Sequence, residues 1–332
     1  MDTSFSTVSQ QAQPKSVVVI LLESFDELAA PNIKTQRNYL PHYRKISKIG
    51  EKASFFSPVF GGRTADAEFE VLTGLSMKFL PAGSSPYTMY IKKSMPSLVR
   101  AFSKNGYKTI AIHANTKNYW NREQVYRHLG FHNFYGKYDL DEVGSHHNPS
   151  VRLKSDRAIF EKSLSLLQSG PALQFHFLIT LSTHGPYKDD PNKKGKLVPE
   201  ISGYMNRMQA LDSELGDYFQ SLRALPNPPA VLLFSDHQPH FKQQLNNGRV
   251  DRSLYRVAAI AWNSARATLP PNGGGLYCLS SAALRAGNLS LSPFFNYIDN
   301  FCKNDSQFNE KGFQLLIFDR LFGNQYSENI SK

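Results

Sequence analysis

Residues 17–23 read VVVILLE, and this stretch decides how the rest of the sequence is interpreted. Six consecutive apolar residues, half of them valine, are typical of a parallel strand that is buried on both faces. Glu23 follows at once, and its carboxylate is a suitable ligand for a hard cation. Because ligands bind beyond the carboxyl ends of strands in open α/β sheets, Glu23 is a candidate site residue.

Three further apolar runs end in the same way. Thr109–Ile112 precedes His113, Phe175–Leu181 precedes Ser182-Thr183-His184, and Val231–Phe234 precedes Ser235-Asp236-His237. Carboxyl ends of parallel strands share one edge of a sheet, so the four endings predict a single site. The carboxylate and imidazole of Asp236-His237 suit Mn²⁺, Zn²⁺ or Mg²⁺, and the alternative is a polar turn with a hydrogen-bonded core histidine.

Helical patterns separate these strands. They cover Pro41–Ala53, Arg63–Leu72, Met95–Lys104 with Ser94 as the N-cap, Asp156–Gln168, and a long amphipathic stretch through Tyr204–Leu222. The alternation predicts an α/β fold with a mainly parallel central sheet sandwiched between helices. Residues 1–15 read as a polar lead-in and residues 16–332 as one catalytic domain, in which the last ~60 residues form a small C-terminal subregion.

The bulk composition indicates a globular protein with anionic partners. The chain has 332 residues, of which 41% are hydrophobic and 20% charged, and its formal net charge is +11. The densest basic patches are Lys92-Lys93 and residues 193–196. Such charge favours phosphorylated molecules or acidic lipid head groups, and without a nucleic-acid-binding motif it predicts no nucleic-acid partner.

The two cysteines and the hydropathy bear on the compartment. Cys278 and Cys302 either pair, as in an exported protein, or remain two buried thiols. No apolar stretch approaches the ~18 residues that a membrane span needs, and no signal peptide precedes the first strand. We therefore expect any export signal or membrane anchor to lie outside this sequence.

Thr64 follows Gly61-Gly62-Arg63 and opens a predicted helix. The glycines allow close approach of the backbone to a ligand, and a helix N-terminus offers free N–H groups to a phosphate. A hydroxyl placed there beside a metal can act as a nucleophile. The alternative is that Thr64 is a simple helix N-cap.

Several segments together resemble the lipoteichoic acid synthases and related phosphoglycerol transferases of the alkaline phosphatase/sulfatase superfamily. The resemblance lies in Glu23-Ser24-Phe25, Gly62–Phe69, His113–Arg122 with Gly130-Phe131 after it, Leu181–Tyr187 and Ser235–Pro239. It spans roughly Val17 to Pro239, and the family's segments occur in the family's order.

The resemblance implies one divalent cation, Mn²⁺ or Mg²⁺, with Zn²⁺ as a further candidate. Its ligands would be Glu23, Thr64, Asp236 and His237. Thr64 would attack phosphorus and become a phosphothreonine ester. The phosphoryl group and the bound head group would be surrounded by His113, Trp120, Arg122 and His184.

The residue types agree with phosphoryl transfer. The planar fork of Arg122 suits two phosphate oxygens, although a surface charge is the plain alternative. Either His184 or His113 would protonate the leaving alcohol. Trp120 would pack against a glycerol or sugar face, or else within the core.

Three further residues near these motifs are candidate members of the substrate site. Asn115 stands where some family members have Asp, which weakens the match of the head-group contacts. Arg63 would contact a phosphate or face solvent. His240 would contact substrate or lie on the surface.

The leading functional hypothesis is transfer of a phosphoglycerol-type head group from an anionic phospholipid, such as phosphatidylglycerol, to a glycan or glycolipid hydroxyl. The chain would be the soluble catalytic part of a membrane-anchored protein at the periplasmic or extracellular face of the cytoplasmic membrane. The alternatives are a metal-dependent phosphodiesterase, a phosphoethanolamine transferase and a non-catalytic head-group binder. Sulfate-ester hydrolysis is disfavoured because no Cys-x-Pro-x-Arg segment is present.

Overall fold

The computed structural model describes most of the chain. The described residues are 14–27, 39–141, 155–187, 199–245, 248–264, 269–270, 273–303 and 309–326. The greater part of the predicted lead-in, residues 1–13, and the basic patch at 193–196 lie outside them.

A seven-stranded sheet forms the centre of the molecule. Its strands are β1 Val17–Leu22, β2 Glu51–Phe56, β3 Lys108–His113, β4 Asn133–Tyr135, β5 Gln174–Ile179, β6 Ala230–Ser235 and β7 Arg256–Trp262. Their spatial order is β2-β7-β6-β1-β5-β3-β4. Only β7 runs antiparallel to its neighbours β2 and β6, so the predicted mainly parallel sheet is confirmed.

The strand β1 occupies the middle of the sheet and is buried along its whole length. Val17 pairs with Phe175 of β5 on one side and with Ala230 of β6 on the other. Alternate β1 side chains enter the two separate hydrophobic clusters that lie on opposite faces of the sheet. This is the environment that a continuous apolar run requires.

Helices cover both faces. They are α1 Pro41–Ile49, α2 Thr64–Thr73, α3 Pro86–Met89, α4 Leu98–Lys104, α5 Arg122–Leu129, α6 Asp156–Ser169, α7 Pro199–Arg223, α8 Lys242–Leu245, α9 Leu279–Ala286, α10 Pro293–Lys303 and α11 Glu310–Leu321. Core residues of α1, α6 and α7 share one cluster, and those of α2, α4, α5 and α9–α11 share the other. The result is the three-layer α/β/α architecture that the alternating pattern predicts.

Two predicted boundaries differ from the structure. The first helix ends at Ile49 rather than at Ala53, because Glu51–Phe56 pairs with β7 and extends the sheet. The helix predicted to begin at Met95 begins at Leu98, and its N-cap is Ser97, whose hydroxyl accepts from the Arg100 amide at 3.0 Å. Ser94 instead accepts a hydrogen bond from the Arg100 guanidinium.

The C-terminal helices are joined to the rest of the fold by packing and by a disulfide. Cys278, at the start of α9, is bonded to Cys302 in α10. Of the two alternatives left open by the sequence, the structure therefore has the paired cysteines. None of the described helices combines the length and the apolar character needed to cross a bilayer.

Candidate active site

The sheet topology brings the predicted strand endings to one edge. The neighbouring strands β6, β1, β5 and β3 are parallel, and they end at or just before Asp236, Glu23, Thr180 and His113. The helix α2 begins at Thr64 beside these ends. Residues that are far apart in sequence therefore meet in one small region.

Glu23, Asp236 and His237 form a buried cluster whose ligand-type atoms lie within 4.8 Å of one another. His237 Nε2 is 3.2 Å from Asp236 Oδ2 and 3.5 Å from Glu23 Oε1. Two carboxylates and an imidazole at these separations are a donor set for a divalent cation.

The hydrogen bonds of this cluster leave two ligand atoms without partners. Asp236 Oδ1 accepts from the amides of Ser24 at 2.8 Å and His237 at 2.7 Å. His237 Nδ1 donates to the Gln238 carbonyl at 3.0 Å, which leaves Nε2 as the basic nitrogen. Asp236 Oδ2 and His237 Nε2 are buried, and neither has a hydrogen-bond partner among the described residues. Buried polar atoms rarely stay unpaired, so these residues fit a bound cation.

The electrostatics of the cluster reflect two close carboxylates. Burial, together with the charge of Glu23, raises the pKa of Asp236 to about 7. Burial opposes the ionisation of Glu23, but His237, His184 and the hydroxyls of Thr64 and Ser24 outweigh it and lower its pKa. Two carboxylates held this close call for a positive charge between them.

Thr64 is the first residue of α2, and its hydroxyl donates to Glu23 Oε2 at 2.7 Å. The preceding Arg63 has φ 68°, in the left-handed region, which turns the chain sharply into the helix. The hydroxyl thus lies at a helix N-terminus and is hydrogen-bonded to the cluster of Glu23, Asp236 and His237. Arg63 and not Thr64 occupies the N-cap position of α2, so the simple N-cap alternative is wrong, and the role of Thr64 as a nucleophile stays a prediction.

The Arg63 side chain has partners that the sequence did not reveal. Its Nε donates to Asp66 Oδ2 at 2.6 Å, and its Nη2 donates to the Ser84 carbonyl. The guanidinium is therefore held along the side of α2, and a role for it in substrate binding stays a prediction.

Arg122 is fully buried in an ion pair with Glu68 of α2. Arg122 Nη2 and Nε donate to Glu68 Oε1 at 2.6 and 3.1 Å. The hydroxyls of Tyr126 and Tyr87 donate to Glu68 Oε2 at 2.6 and 3.1 Å. One edge of the guanidinium is thus taken by protein, which excludes the surface-charge alternative, and contact of the remaining N–H groups with a phosphate stays a prediction.

His113 ends β3 and is buried. Its Nδ1 donates to the Ile179 carbonyl at 3.0 Å, so Nε2 carries the lone pair in the neutral ring. Burial and the nearby Arg122 charge lower the pKa of His113 to about 3. A neutral His113 can accept a hydrogen bond at Nε2 and has no proton to donate there, and its contact with a substrate stays a prediction.

His184 lies on an exposed turn after β5. This turn is held in place by residues that the sequence did not reveal. Asp156, at the start of α6, accepts from the amides of Leu181 at 2.7 Å and Ser182 at 3.1 Å. Thr183 donates its hydroxyl to the Glu23 carbonyl. The His184 turn is thereby fastened directly to the loop that carries Glu23.

Arg207 of α7 holds the same turn from the outside. It donates to the carbonyls of His184 at 2.5 Å and Pro186 at 2.9 Å. The Nδ1 of His184 donates to the Gly185 carbonyl at 2.6 Å, which leaves Nε2 for other contacts.

Trp120 and Asn115 lie on the segment between β3 and α5. Trp120 has φ 57°, a strained value for a bulky residue, and is partly buried against the core. Its ring centroid is 5.8 Å from that of Tyr119, which is 49% exposed. Asn115 Oδ1 accepts from the Thr116 amide at 2.7 Å. A contact of either residue with a head group stays a prediction.

His240 is half exposed beside the His184 turn. Its Nε2 is 2.8 Å from Glu200 Oε1, and its ring stacks on Tyr187 with centroids 5.7 Å apart. It also packs closely against the backbone of Gly61. His240 therefore lies between the His184 turn and the glycine loop that precedes Thr64.

A cleft of about 810 Å³ lies along the side of α2. Ser57 and Arg63 are among its lining residues, and Ser57 donates its hydroxyl to the Asp236 carbonyl. Its walls combine aromatic and charged side chains, namely Phe56, Phe79, Tyr255, Tyr277 and Phe301 with Asp66, Glu70, Lys78, Arg252 and Glu310. The volume lies within the range of ligand pockets, roughly 300–1,000 Å³.

Comparisons with known proteins agree with this architecture. A family model described as Sulfatase matches residues 15–268. A Rhizobium meliloti protein named for the modification of cyclic β-1,2-glucan is 31% identical over 67% of this chain and 35% of its own length. Lipoteichoic acid synthase 1 of Bacillus subtilis is 28% identical over 68% of this chain and 36% of its own length. The resemblance to the lipoteichoic acid synthases is confirmed.

Solved structures give the same fold. The phosphoglycerol transferase GacH of Streptococcus pyogenes, solved with sn-glycerol-1-phosphate, has a TM-score of 0.78 at 20% identity, covering 94% of this chain and 87% of that one. The lipoteichoic acid synthase LtaP of Listeria monocytogenes has a TM-score of 0.70 at 20% identity, covering 84% and 73%. The chain spans about a third of the length of the curated relatives it matches.

Proposed function

Because this chain belongs to the sulfatase family, within the alkaline phosphatase superfamily, we propose that it is a metal-dependent phosphotransferase. It moves a phosphoglycerol-type head group from an anionic phospholipid such as phosphatidylglycerol to a hydroxyl of a glycan or glycolipid. The observation that carries the proposal is the Thr64 hydroxyl, 2.7 Å from a carboxylate of the three-residue cluster and at the N-terminus of a helix.

Glu23, Thr64, Asp236 and His237 would hold one divalent cation. A carboxylate-rich set with one imidazole suits Mn²⁺ or Mg²⁺ and also admits Zn²⁺. Such a cation neutralises charge on a phosphate oxygen and makes a nearby hydroxyl more acidic.

In the first half-reaction the Thr64 oxygen bonds to phosphorus while the bond from phosphorus to the diacylglycerol oxygen breaks. The Thr64 proton leaves toward Glu23, and the leaving oxygen takes a proton from His184. The free N–H groups of α2 and the buried Arg122 stabilise charge on the phosphoryl oxygens. His113 accepts a hydrogen bond from a head-group hydroxyl, since its Nε2 is unprotonated.

In the second half-reaction an acceptor oxygen bonds to phosphorus while the bond from phosphorus to the Thr64 oxygen breaks. The acceptor hydroxyl gives its proton to His184, and Thr64 recovers its proton from Glu23. Transfer and hydrolysis differ only in whether a glycan or water supplies this hydroxyl. The cleft that Arg63 helps to line favours transfer, because its aromatic walls suit sugar rings and its charged groups suit sugar hydroxyls. Phosphodiester hydrolysis is the second candidate, and phosphoethanolamine is the alternative head group.

We propose that the reaction takes place at the periplasmic or extracellular face of the cytoplasmic membrane, in a larger membrane-anchored protein. The Cys278–Cys302 disulfide supports an oxidising compartment. The formal net charge of +11 supports attraction to anionic lipids.

The test is intact-protein mass spectrometry after incubation with phosphatidylglycerol vesicles and Mn²⁺. We expect the mass of one glycerophosphoryl group on wild type and on Thr64→Ser, and none on Thr64→Ala or in excess EDTA. The exposed Thr88→Ala variant is the matched control and should carry the adduct.

Other outcomes separate the alternatives. An adduct that forms with phosphatidylethanolamine and not with phosphatidylglycerol would show that the transferred head group is phosphoethanolamine. If glycerol phosphate is released at the same rate with and without a glycan acceptor, the result would favour the hydrolase. Head-group binding without any adduct or turnover would favour a non-catalytic binder and overturn the proposal.

A further inference from the structure

The helix α11 is apolar on two sides. Phe313, Ile317 and Leu321 recur every fourth residue and point into the core. Leu315, Phe318 and Phe322 follow at the helical spacing of a second face, and they are 70%, 64% and 50% exposed. A surface helix of a globular protein usually presents polar residues on its outer side, so the outer face of α11 needs an explanation.

This outer face continues beyond the helix. Phe318 and Phe322 are in ring contact at 5.1 Å, and Phe322 contacts Tyr90 at 5.3 Å. Met89 precedes Tyr90 in the chain, and the Tyr326 amide donates to Asp319 of α11 at 3.1 Å; these two side chains are 52% and 66% exposed. We call Leu315, Phe318, Phe322, Met89 and Tyr326 the α11 face. It holds five of the nine strongly exposed large apolar side chains of the described residues.

Lysines border the α11 face. Lys92 and Lys93 are exposed and lie in the chain between Tyr90 and Ser94. Tyr90 contacts Phe322, and the Ser94 carbonyl accepts a hydrogen bond from the Gln325 side chain at 3.4 Å. Lys311 is exposed in the first turn of α11. The acidic groups of this helix are already engaged, since Glu310 pairs with Lys78 at 2.9 Å and Asp319 accepts from the Tyr326 amide.

We propose that the α11 face docks on the surface of an anionic phospholipid bilayer. Exposed Phe and Leu side chains with a lysine border are the composition of surfaces that insert shallowly at the membrane interface. The inference rests on the proposed function, because the donor of the head group is a membrane lipid.

The position of the α11 face suits delivery of reactants to the site. Ser84 lines the cleft beside α2, and its carbonyl accepts a hydrogen bond from Arg63. The Ser84 hydroxyl is also hydrogen-bonded to the Tyr90 hydroxyl at 2.8 Å. Lys78 and Glu310 also line the cleft. The cleft and the α11 face are therefore neighbours, and docking brings the entrance of the cleft to the bilayer.

Co-sedimentation of the 332-residue chain with vesicles tests the inference. Vesicles of equal parts phosphatidylglycerol and phosphatidylcholine are compared with vesicles of phosphatidylcholine alone. We expect wild type to bind the vesicles that contain phosphatidylglycerol, and salt to weaken this binding. The triple variant Leu315→Gln/Phe318→Gln/Phe322→Gln should bind them at least about tenfold more weakly. The matched triple variant Ile49→Gln/Tyr138→Gln/Val250→Gln, which removes exposed apolar groups elsewhere, should bind like wild type.

A charge-matched pair completes the design. Lys92→Gln/Lys93→Gln should weaken binding and reduce its salt dependence, whereas Lys45→Gln/Lys48→Gln on α1 should do neither. Binding by Thr64→Ala is measured in parallel and should equal that of wild type, so a failure of the proposed chemistry is distinguished from a failure of docking.

Two results would overturn the inference. One is that the α11 triple variant sediments with phosphatidylglycerol vesicles as wild type does. The other is that wild type ignores these vesicles and forms a dimer that the triple variant dissociates, because a second copy would then cover the face.

Discussion

Glu68 lies one helical turn after Thr64 and is the counterion of the buried Arg122. Glu68→Gln would leave the guanidinium buried without a full negative partner. We expect the free energy of unfolding to fall by about 3 kcal/mol, measured by urea denaturation. The same substitution at Glu123, which is exposed on α5, should have little effect.

Removing both charges of this pair is a sharper test. Because Arg122→Met takes away the unpaired charge, the double variant Glu68→Gln/Arg122→Met should regain part of the stability lost in Glu68→Gln. Additive losses in the two single variants would show that the pair is not coupled.

His176 makes stability sensitive to acid. Burial lowers its pKa to about 3, and its ring accepts from Ser163 at 2.8 Å and donates to Gln174 at 3.0 Å. In the unfolded chain the pKa is about 6.5. The stability that a neutral His176 contributes is therefore complete above that value and is lost as the pH falls toward 3.

A comparison with His176→Gln isolates this contribution. Between pH 7 and pH 4 the difference in unfolding free energy between wild type and the variant should shift against wild type by about 3 kcal/mol. Urea denaturation at the two pH values measures it. A difference that does not vary with pH would contradict the prediction.

At the level of elements, the turn that carries His184 depends on the first residue of α6. Asp156→Asn would lose a charged acceptor for the amides of residues 181 and 182. We expect kcat for head-group transfer to fall about tenfold or more, because His184 is misplaced. Stabilisation by Mn²⁺ should persist, since the cation ligands are untouched. Asp217→Asn is the control, because the Asp217 side chain is exposed on α7.

The disulfide joins the start of α9 to α10 across a sequence separation of 24 residues. Closing a loop of that size restricts the unfolded chain and is worth about 3 kcal/mol. The free energy of unfolding of Cys278→Ser/Cys302→Ser, measured by urea denaturation, should therefore be lower than that of wild type by about 3 kcal/mol. Wild type in reductant should behave like the variant, and unchanged stability in both would argue against the estimate.

The elements that sequence reasoning located well are those with strong local signals. The runs that form β1 and β6 are almost entirely apolar, those of β3 and β5 are mainly so, and α6 was predicted to within one residue. The end of α1 was misplaced because β2 exists only through pairing with β7, about 200 residues later. Ser94 was predicted as a cap although Ser97 fills that role, because only the structure shows which serine accepts from the Arg100 amide.

For the whole molecule, cation binding should be coupled to folding. Mn²⁺ at a hundred times its dissociation constant should stabilise wild type by about 2.7 kcal/mol, seen as a rise in Tm by calorimetry. Asp236→Asn should remove this rise. Without metal the variant should be at least as stable as wild type, because it relieves the repulsion between Asp236 and Glu23.

The sequence predicted the parts of the site that lie directly after strands, including Glu23 and Asp236-His237. It did not reveal Glu68, Asp156 or Arg207, because each acts through a contact between distant segments. It also missed the α11 face, where the apolar residues read as ordinary core until burial separates the inner from the outer stripe.

The central place of β1 has a consequence for biosynthesis. Its two neighbours begin 157 and 213 residues after Val17, at Gln174 and Ala230. Of the strands of this sheet, β1 leaves the ribosome before the others and waits longest for its second neighbour, and uncovered strand edges invite aggregation. We expect the nascent chain to need a chaperone until β6 has been made. The topology that brings the cation ligands together also leaves β1, the strand before Glu23, without its second neighbour until then.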